Sequence, residues 1–393
     1  MRHPRPALAL LALTAALLTG CALQPQPAPV LAPAPLAEAD ALIGGLVDQK
    51  LLPGAVLWVE RQGRAPYHRA YGQRALQPTP EPQSEDTVFD AASLTKPVVT
   101  ATLVQMLRER GRLDIDAPLQ RYLPDCGGAD KAGITLRQLL THTSGLPATL
   151  KGNGAGDWQG MAAAREQACA LPMQGTPGGQ FRYSDVNYIL LGLIVAQQAG
   201  QPLEQFADEA LFKPLGMKDS GYRPLRRLPL ARIAPTEREP DGHLLRGEVH
   251  DPTARKMGGV SGNAGLFTTT ADLARFARML LAGGVTEDGR RLLSAESVKL
   301  LSTPQQPEAL KELRSLGWDL DTPYSSPRGT LFPVGASFGH TGFTGCILWL
   351  DPQSRSFYVF LSNRVHPGPP TVILPAYRPL GTLMARAVGL GTD

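Results

Sequence analysis

A serine and a lysine lie three positions apart, at Ser93 and Lys96. Val99, Leu103 and Leu107 recur on one face of the segment that follows, which predicts a helix beginning near Ser93. Residues i and i+3 share a helix face, so the lysine amine could reach the serine hydroxyl. A helix N-terminus also favours a developing oxyanion. The pattern therefore predicts a nucleophilic serine with Lys96 as its activating partner, although the same four residues would also suit an ordinary helix start.

Two further short motifs carry groups that can move protons. Tyr183-Ser184-Asp185 precedes an apolar stretch, and His340-Thr341-Gly342 stands at the start of a predicted strand near the C-terminus. A phenol and an imidazole both serve as acids or bases in enzymes. Each could instead be structural, as a core aromatic with a satisfied hydroxyl or as a lone packed histidine. The residues alone leave both interpretations open.

In this order the three motifs resemble those of the serine β-lactamase and penicillin-binding protein superfamily. The chain is most similar to the branch that holds class C β-lactamases, DD-peptidases of that type and related esterases. The resemblance covers about residues 40–390 and includes the stretches 111–124, 134–147 and 258–269. It implies a hydrolase that forms an acyl-enzyme on its nucleophilic serine and needs no cofactor or metal.

The resemblance also implies roles for individual residues. Ser93 attacks a carbonyl, while Lys96 and Tyr183 share the proton transfers. The backbone N–H groups of Ser93 and Phe343 form the oxyanion hole. His340 is expected to hold the base network or a substrate carboxylate. The remaining motif residues are expected to line the substrate site: Asp185, Thr341 and Gly342.

The chain departs from this pattern at two positions. Asp185 stands where many relatives have asparagine, so it could pair with Lys96, keep the amine protonated and shift base duty toward Tyr183; it could instead be neutral itself. His340 replaces the lysine usual in true β-lactamases, and an imidazole is only partly charged near neutral pH. Both changes favour peptidase or esterase activity over efficient β-lactam hydrolysis.

Other polar residues receive structural interpretations. His142 is expected to brace a loop, and His250, Asp251 and Asn263 to fix loops near the rim of the site. The glycines of 258–265 indicate turns, because no lysine follows at the spacing of a phosphate-binding loop.

The N-terminus has the pattern of an exported lipoprotein. Arg2 and Arg5 precede an apolar run that ends in Leu18-Thr19-Gly20-Cys21, which looks like a bacterial lipobox. We therefore expect a signal peptide over 1–20 and lipidation of Cys21. Residues 21–38, rich in proline and alanine, would form the tether to a membrane of the cell envelope. The alternative is an ordinary signal peptide with an incidental cysteine.

The composition limits the other function classes. The chain has 393 residues, of which 43% are hydrophobic, and a net charge of +4 without a basic run, so nothing indicates nucleic acid as a partner. No clustered cysteine or histidine spacing indicates a metal. Cys126 and Cys169 could form a disulfide in an exported protein, but the sequence alone does not fix the pairing.

The predicted elements place strands at both ends of the chain and helices between them. This order indicates an α+β fold, in which an antiparallel sheet is flanked by helices and carries an inserted, mainly helical domain over about 112–285. Residues 39–393 would form this hydrolase domain. The individual elements predicted are helices at 39–49, 135–140, 188–198, 271–282 and 380–388, and strands at 56–60, 67–71, 317–319, 345–350 and 356–361.

The expected activity is that of a DD-carboxypeptidase, DD-peptidase or esterase, with weak β-lactamase activity. Its substrate would be a small molecule or peptide: a cell-wall peptide, an ester or a β-lactam. The alternative is a penicillin-binding sensing lipoprotein that acylates at Ser93 but turns over poorly.

Overall fold

The computed structural model describes Met1 and residues 31–126, 128–154 and 156–391. The predicted signal peptide beyond Met1, Cys21 and most of the predicted tether lie outside the described residues, so these remain predictions. Within the described residues, no helix combines the length and apolar character needed to cross a membrane.

The described strands form one eight-stranded antiparallel sheet and a separate two-stranded ladder. The eight run in the order β3-β2-β1-β10-β9-β8-β7-β6, and the ladder pairs β4 with β5. The strands are β1 Gly54–Arg61, β2 Tyr67–Ala75, β3 Glu81–Pro82, β4 Phe89–Asp90, β5 Phe267–Thr268, β6 Leu313–Arg314, β7 Asp319–Asp321, β8 Phe338–Gly342, β9 Cys346–Asp351 and β10 Ser356–Ser362. Because β1 pairs with β10, the two ends of the chain build a single sheet, as the sequence predicts.

Helices cover both faces of this sheet. They are α1 Pro33–Asp48, α2 Thr102–Glu109, α3 Leu136–Leu140, α4 Gly160–Ala170, α5 Asp185–Ala199, α6 Leu203–Ala207, α7 Lys213–Leu215, α8 Pro252–Lys256, α9 Thr270–Leu281, α10 Ala295–Ser302 and α11 Leu374–Ala387. A 3₁₀ turn over Ala92–Leu94 and a π-helical segment over Lys96–Ala101 lead directly into α2. The predicted helical insert thus contains α3 to α9, and it also supplies β5 to the ladder with β4.

The alternation of side chains along the strands divides the interior into two cores. Leu57 and Val59 of β1 face the core that includes α1 and α11, whereas Val56 and Trp58, which alternate with them, face the core of the helical region. Successive strand residues point to opposite faces, so one strand contributes to both cores. The central strands β9 and β10 are therefore buried along their whole length, between the helical layers.

Two helix starts differ from the sequence prediction. Helix α1 begins at Pro33, inside the predicted tether of 21–38, because Leu36 is buried against the sheet and proline is favourable in a first helical turn. Helix α11 begins at Leu374, so the predicted start of this helix at residue 380 is wrong. Pro379 lies inside the helix, where it removes one N–H group, while Tyr377 and Leu380 on either side are buried in the core.

The structure also settles the cysteine pairing that the sequence left open. Cys126 and Cys169 form a disulfide that connects a short turn to α4, with a sequence separation of 43 residues. Cys346 is a buried free thiol.

Candidate active site

The backbone before Ser93 adopts a conformation that requires support. Ala92 has a φ of +47°, in the left-handed region that a residue with a Cβ rarely occupies. The buried carboxylate of Asp90 accepts the N–H of Ala92 at 2.9 Å, and Thr95 Oγ1 donates to the carbonyl oxygen of Ala92 at 2.6 Å. These bonds fix the turn that places Ser93 at the start of the helical segment, as the sequence predicts.

Lys96 contacts Ser93 directly. Its fully buried Nζ lies 2.9 Å from Ser93 Oγ, 3.0 Å from the carbonyl oxygen of Asn263 and 2.7 Å from Asp185 Oδ1. The Nζ also lies 5.0 Å from the ring centroid of Tyr183. The structure thus brings together the Ser-x-x-Lys pair and the second motif, although about 90 residues separate them in sequence.

The charges of this cluster set its protonation. Burial lowers the pKa of Lys96, but the charge of Asp185, the neighbouring Tyr183 and the hydrogen bonds to both together outweigh burial and raise the pKa above its usual value. Burial raises the pKa of the Tyr183 phenol, and the nearby ammonium of Lys96 offsets only part of this rise. At neutral pH the cluster therefore holds an ammonium and a phenol. Of the alternatives the sequence left open for Asp185, the structure shows the pairing with Lys96.

The start of α5 positions the second motif. Ser184 caps the helix, because its side chain accepts the N–H of Asn187, and Asp185 is the first helical residue. The N–H of Ser184 donates to Nδ1 of the buried His142 at 3.0 Å, and the His142 ring lies 4.5 Å from that of Tyr183. His142 therefore contacts both the backbone and the ring next to it.

Strand β8 brings the third motif against the nucleophile turn. A Cβ on Gly342 would lie 2.4 Å from the carbonyl oxygen of Ala91, so only glycine permits this approach. Phe343 follows Gly342 in the chain. It lines the cavity of the site, as do Ser93 and Thr341. The strand thus places the two residues predicted for the oxyanion hole, Ser93 and Phe343, on one cavity.

The imidazole of His340 is buried at the side of this cluster. Its Nδ1–H donates to the carbonyl oxygen of Thr341 at 2.7 Å, and its ring centroid lies 5.9 Å from that of Tyr183. Burial lowers the pKa of His340 well below its usual value, and the charges of Arg314 and Lys96 add to this effect. The lowered pKa favours the uncharged ring at neutral pH over the partly charged imidazole that the sequence predicts.

The cluster opens into a cavity of about 620 Å³. This volume suits a small molecule or short peptide. Its lining includes residues from the nucleophile turn, α5, α8, β7, β8 and the loops between them: Ala92, Ser93, Thr149, Tyr183, Asp185, Glu237, Glu239, His250, Asp251, Pro252, Arg255, Ala264, Arg314, Asp319, Tyr324, His340, Thr341, Phe343 and Pro370.

A buried ion pair on this cavity was not predicted from the sequence. Arg314 and Asp319, which are 1% and 2% exposed, lie 3.2 Å apart, and the guanidinium lies 5.8 Å from the centre of the Phe181 ring. Asp319 also accepts the hydroxyl groups of Thr322 and Ser325. The sequence predicts a strand that opens at 317–319, but it gives no indication that Asp319 pairs with Arg314.

Asp251 belongs to the cavity wall as well as to a loop. It caps α8 by accepting the N–H of Ala254 at 2.7 Å, which agrees with the predicted loop-fixing role. Burial and the nearby negative charge of Asp185 raise the pKa of Asp251 to about 6. The structure therefore places Asp251 among the carboxylates of the cavity wall. In the part of the chain that the structure describes, no group of three or more potential metal ligands occurs.

Known proteins resemble this chain in sequence and in fold. The sequence family described as Beta-lactamase matches residues 39–381. The chain is 32% identical over 348 residues to an Escherichia coli K12 protein named "Putative D-alanyl-D-alanine carboxypeptidase", covering 80% of this chain and 79% of that protein. It is 32% identical over 350 residues to the Bacillus subtilis N-acetylmuramyl-L-alanine amidase, covering 80% and 78%. A class C β-lactamase structure, 21% identical, superposes with a TM-score of 0.71 over 90% of this chain and 96% of that one.

Proposed function

The chain belongs to the β-lactamase family of serine hydrolases, and we propose that it is a DD-carboxypeptidase that removes the terminal D-alanine from cell-wall peptides. The observation that carries this proposal is the 2.9 Å contact between Lys96 Nζ and Ser93 Oγ at the base of an open cavity. Ester hydrolysis, and slow β-lactam hydrolysis, would follow from the same acyl-enzyme chemistry.

The acylation step uses the groups that surround Ser93. Its oxygen attacks the carbonyl carbon of the scissile amide while its proton passes to Lys96, which transfers a proton to Asp185 at 2.7 Å. The backbone N–H groups of Ser93 and Phe343 stabilise the oxyanion. Tyr183 donates its phenolic proton to the leaving amine, and the proton held by the Lys96–Asp185 pair restores the phenol. The amide bond is broken, and an ester at Ser93 and a free D-amino acid are formed.

Substrate recognition follows from the walls of the cavity. Thr341 and Gly342 of β8 would align the peptide backbone along the strand, and Asp185 would contact it from α5. Because His340 is uncharged, β8 offers no histidine cation to a terminal carboxylate. This feature weakens recognition of penicillins and of acyl-D-alanyl-D-alanine peptides alike, because both carry such a carboxylate, and it is one reason to propose only weak β-lactamase activity.

The uncharged state of His340 also favours a second candidate function. This candidate is an amidase that cleaves the bond between the muramyl lactyl group and L-alanine. This bond lies inside the substrate, so its cleavage needs no terminal carboxylate. The Bacillus subtilis relative is named for this reaction. Either amide would be broken by the same attack from Ser93, and the two candidates differ only in which carbonyl the cavity places beside it.

The location that we propose is the cell envelope. The lipobox-like pattern at Cys21 supports export and lipidation, and the acyl chains would then hold the protein at a membrane. The disulfide between Cys126 and Cys169 supports the same location, because disulfides persist in oxidising compartments. Peptide substrates of the cell wall are found there.

Purified muropeptides distinguish these candidates. The full-length protein is incubated with them and the products are identified by mass spectrometry, with Ser93→Ala as the inactive variant and Thr149→Ala as the matched control. Thr149 is a hydroxyl residue on the same cavity. Loss of D-alanine that requires Ser93 supports the carboxypeptidase, whereas release of the intact peptide from the sugar supports the amidase.

A parallel incubation with fluorescent penicillin tests the sensing alternative. A stable adduct at Ser93, without turnover of muropeptides or esters, would support a penicillin-binding sensing lipoprotein. If the folded wild-type protein neither labels nor turns over any of these substrates, the acyl-enzyme mechanism itself is wrong.

A further inference from the structure

Hydrolysis of the acyl-enzyme requires a base for the attacking water molecule, and the predicted motif residues are poorly suited to this task. Lys96, an ammonium beside Asp185, must give a proton to Ser93 Oγ when the ester bond breaks, so it does not also accept one from water in this step. Tyr183 is a phenol because burial raises its pKa. His340 is neutral, but its lowered pKa makes it a weak base. The deacylation step therefore calls for another group on the same cavity.

The fold ties Asp251 to the nucleophile turn through one carboxylate. Asp90 accepts the N–H of Ala92 with Oδ1 at 2.9 Å and the N–H of His250 with Oδ2 at 2.7 Å. The residues that directly follow these two amides are Ser93 and Asp251. A single buried side chain thus holds the backbone before the nucleophile and the backbone before Asp251 at a fixed separation.

Asp251 faces the cavity without a cation bound to it. Among the described residues no lysine or arginine forms an ion pair with Asp251, since Lys96 pairs with Asp185 at 2.7 Å and Arg255 pairs with Glu239 at 2.9 Å. The carboxylate is held by the N–H of Ala254. Asp185, Lys96 and Asn263 are the groups from the other elements that act on it. Its environment keeps it a better proton acceptor than an ordinary aspartate.

We propose that Asp251 is the base that activates the hydrolytic water in deacylation of Ser93. The water oxygen bonds to the acyl carbon as its proton passes to the Asp251 carboxylate. The bond between that carbon and Ser93 Oγ then breaks, and the serine oxygen takes a proton from Lys96. The product acid returns a proton to Lys96 and leaves as a carboxylate, while Asp251 releases its proton to solvent.

This inference rests on the acyl-enzyme of the proposed function, but it does not depend on which acyl group is transferred. It is therefore tested with p-nitrophenyl acetate rather than with a cell-wall peptide. Asp251→Asn is the informative variant, because asparagine is also a favourable N-cap and its oxygen can still accept the N–H of Ala254. Asp48→Asn, which makes the same chemical change at an exposed aspartate at the end of α1, is the matched control.

The expected result separates kcat from KM. General-base catalysis contributes about 10²–10⁴-fold, so kcat of Asp251→Asn should fall by about 100-fold or more. Acylation should be unaffected, so KM falls in parallel and kcat/KM stays within about threefold of wild type. A burst of p-nitrophenol should appear, and intact-mass spectrometry should show acetylated Ser93. Hydroxylamine, an amine that attacks without a base, should restore turnover.

Equal losses of kcat and kcat/KM without an accumulated adduct would overturn the proposal, and so would an unchanged kcat. Circular dichroism of Asp251→Asn checks that a loss does not come from unfolding. A wild-type protein that hydrolyses the ester but acts on no muropeptide refutes the proposed substrate and leaves this role of Asp251 intact. A wild-type protein that hydrolyses no ester refutes both.

Discussion

The ammonium of Lys96 lies 2.7 Å from Oδ1 of Asp185, and this contact sets the protonation of the residue beside the nucleophile. Burial alone would favour a neutral amine, because a charge loses its hydration inside the protein. The paired carboxylate, together with Tyr183, outweighs this preference and raises the pKa of Lys96. The third residue of the Tyr-Ser-Asp motif therefore determines which proton transfers are open to the Ser-x-x-Lys pair.

Substitution of Asp185 by asparagine should lower the pKa of Lys96. Removal of an adjacent opposite charge shifts a pKa by about 1–3 units, and burial acts in the same direction once the carboxylate is gone. The rate of Ser93 labelling by a fluorophosphonate, measured from pH 5 to 11, should rise at a lower pH in Asp185→Asn than in wild type. Glu239→Gln should leave the profile in place. An unchanged profile in Asp185→Asn would show that the pair does not control the reactivity of Ser93.

Substitution of Tyr183 by phenylalanine should slow acylation without affecting the fold. The ring would keep its contacts with His142 and His340, so only the hydroxyl is lost. Loss of a general acid or base costs about 10²–10⁴-fold in rate. Stopped-flow measurement of p-nitrophenyl ester acylation gives this rate. Tyr324→Phe is the control, because the Tyr324 ring lies on the same cavity, 5.4 Å from the ring of Tyr183. Comparable rates in the two variants would exclude Tyr183 from proton transfer.

The sequence predicts the parts of this site that depend on local geometry. The i, i+3 spacing of Ser93 and Lys96, the helix after Tyr183 and the strand that carries His340 all follow from helix and strand periodicity. The left-handed backbone of Ala92 and the place of Asp251 on the cavity wall do not. Both depend on Asp90, whose partners His250 and Ala92 are 158 residues apart, and no local pattern encodes such a contact.

His340 should remain uncharged throughout the neutral range. Burial and the charges of Arg314 and Lys96 lower its pKa, so protonation should occur only at clearly acidic pH. The ratio of KM for a peptide substrate with a free terminal carboxylate to KM for its amide should therefore be constant from pH 5.5 to 8. NMR titration, with the His340 signal assigned from His340→Asn, gives an independent measurement. A ratio that climbs with pH would mean that a histidine cation binds the carboxylate.

Reduction of the Cys126–Cys169 disulfide should destabilise the helical domain. The bond closes a loop with a sequence separation of 43 residues. By the chain-entropy relation such a crosslink stabilises by about 4 kcal/mol, although measured values often fall nearer 2. Urea unfolding with and without dithiothreitol measures the difference. The double variant Cys126→Ser/Cys169→Ser should be equally destabilised and insensitive to the reductant; a double variant as stable as the oxidised wild type would contradict this.

Substitution of Asp251 by asparagine should stabilise the protein at neutral pH. Folding raises the pKa of Asp251 from 3.8 to about 6, so the folded state binds more protons than the unfolded state between these values. The free energy of unfolding therefore falls as the pH rises from about 4 to about 6, because the buried carboxyl of Asp251 loses its proton. It stays at this lower value at higher pH. Two pKa units correspond to about 3 kcal/mol, and access of solvent to the cavity should reduce this to about 1–2 kcal/mol.

Asparagine removes this penalty because it carries no charge and can still cap α8. The gain in unfolding free energy over wild type should therefore be clear at pH 7.5 and vanish near pH 4. Thermal and urea unfolding at both pH values measure it, and Asp48→Asn, at an exposed aspartate at the end of α1, should show no such pH dependence. A variant that is less stable than wild type at pH 7.5 would show that the charged carboxylate is favourable in the fold. A variant that is more stable but deacylates slowly would show that the Asp251 carboxylate lowers stability and is needed for catalysis.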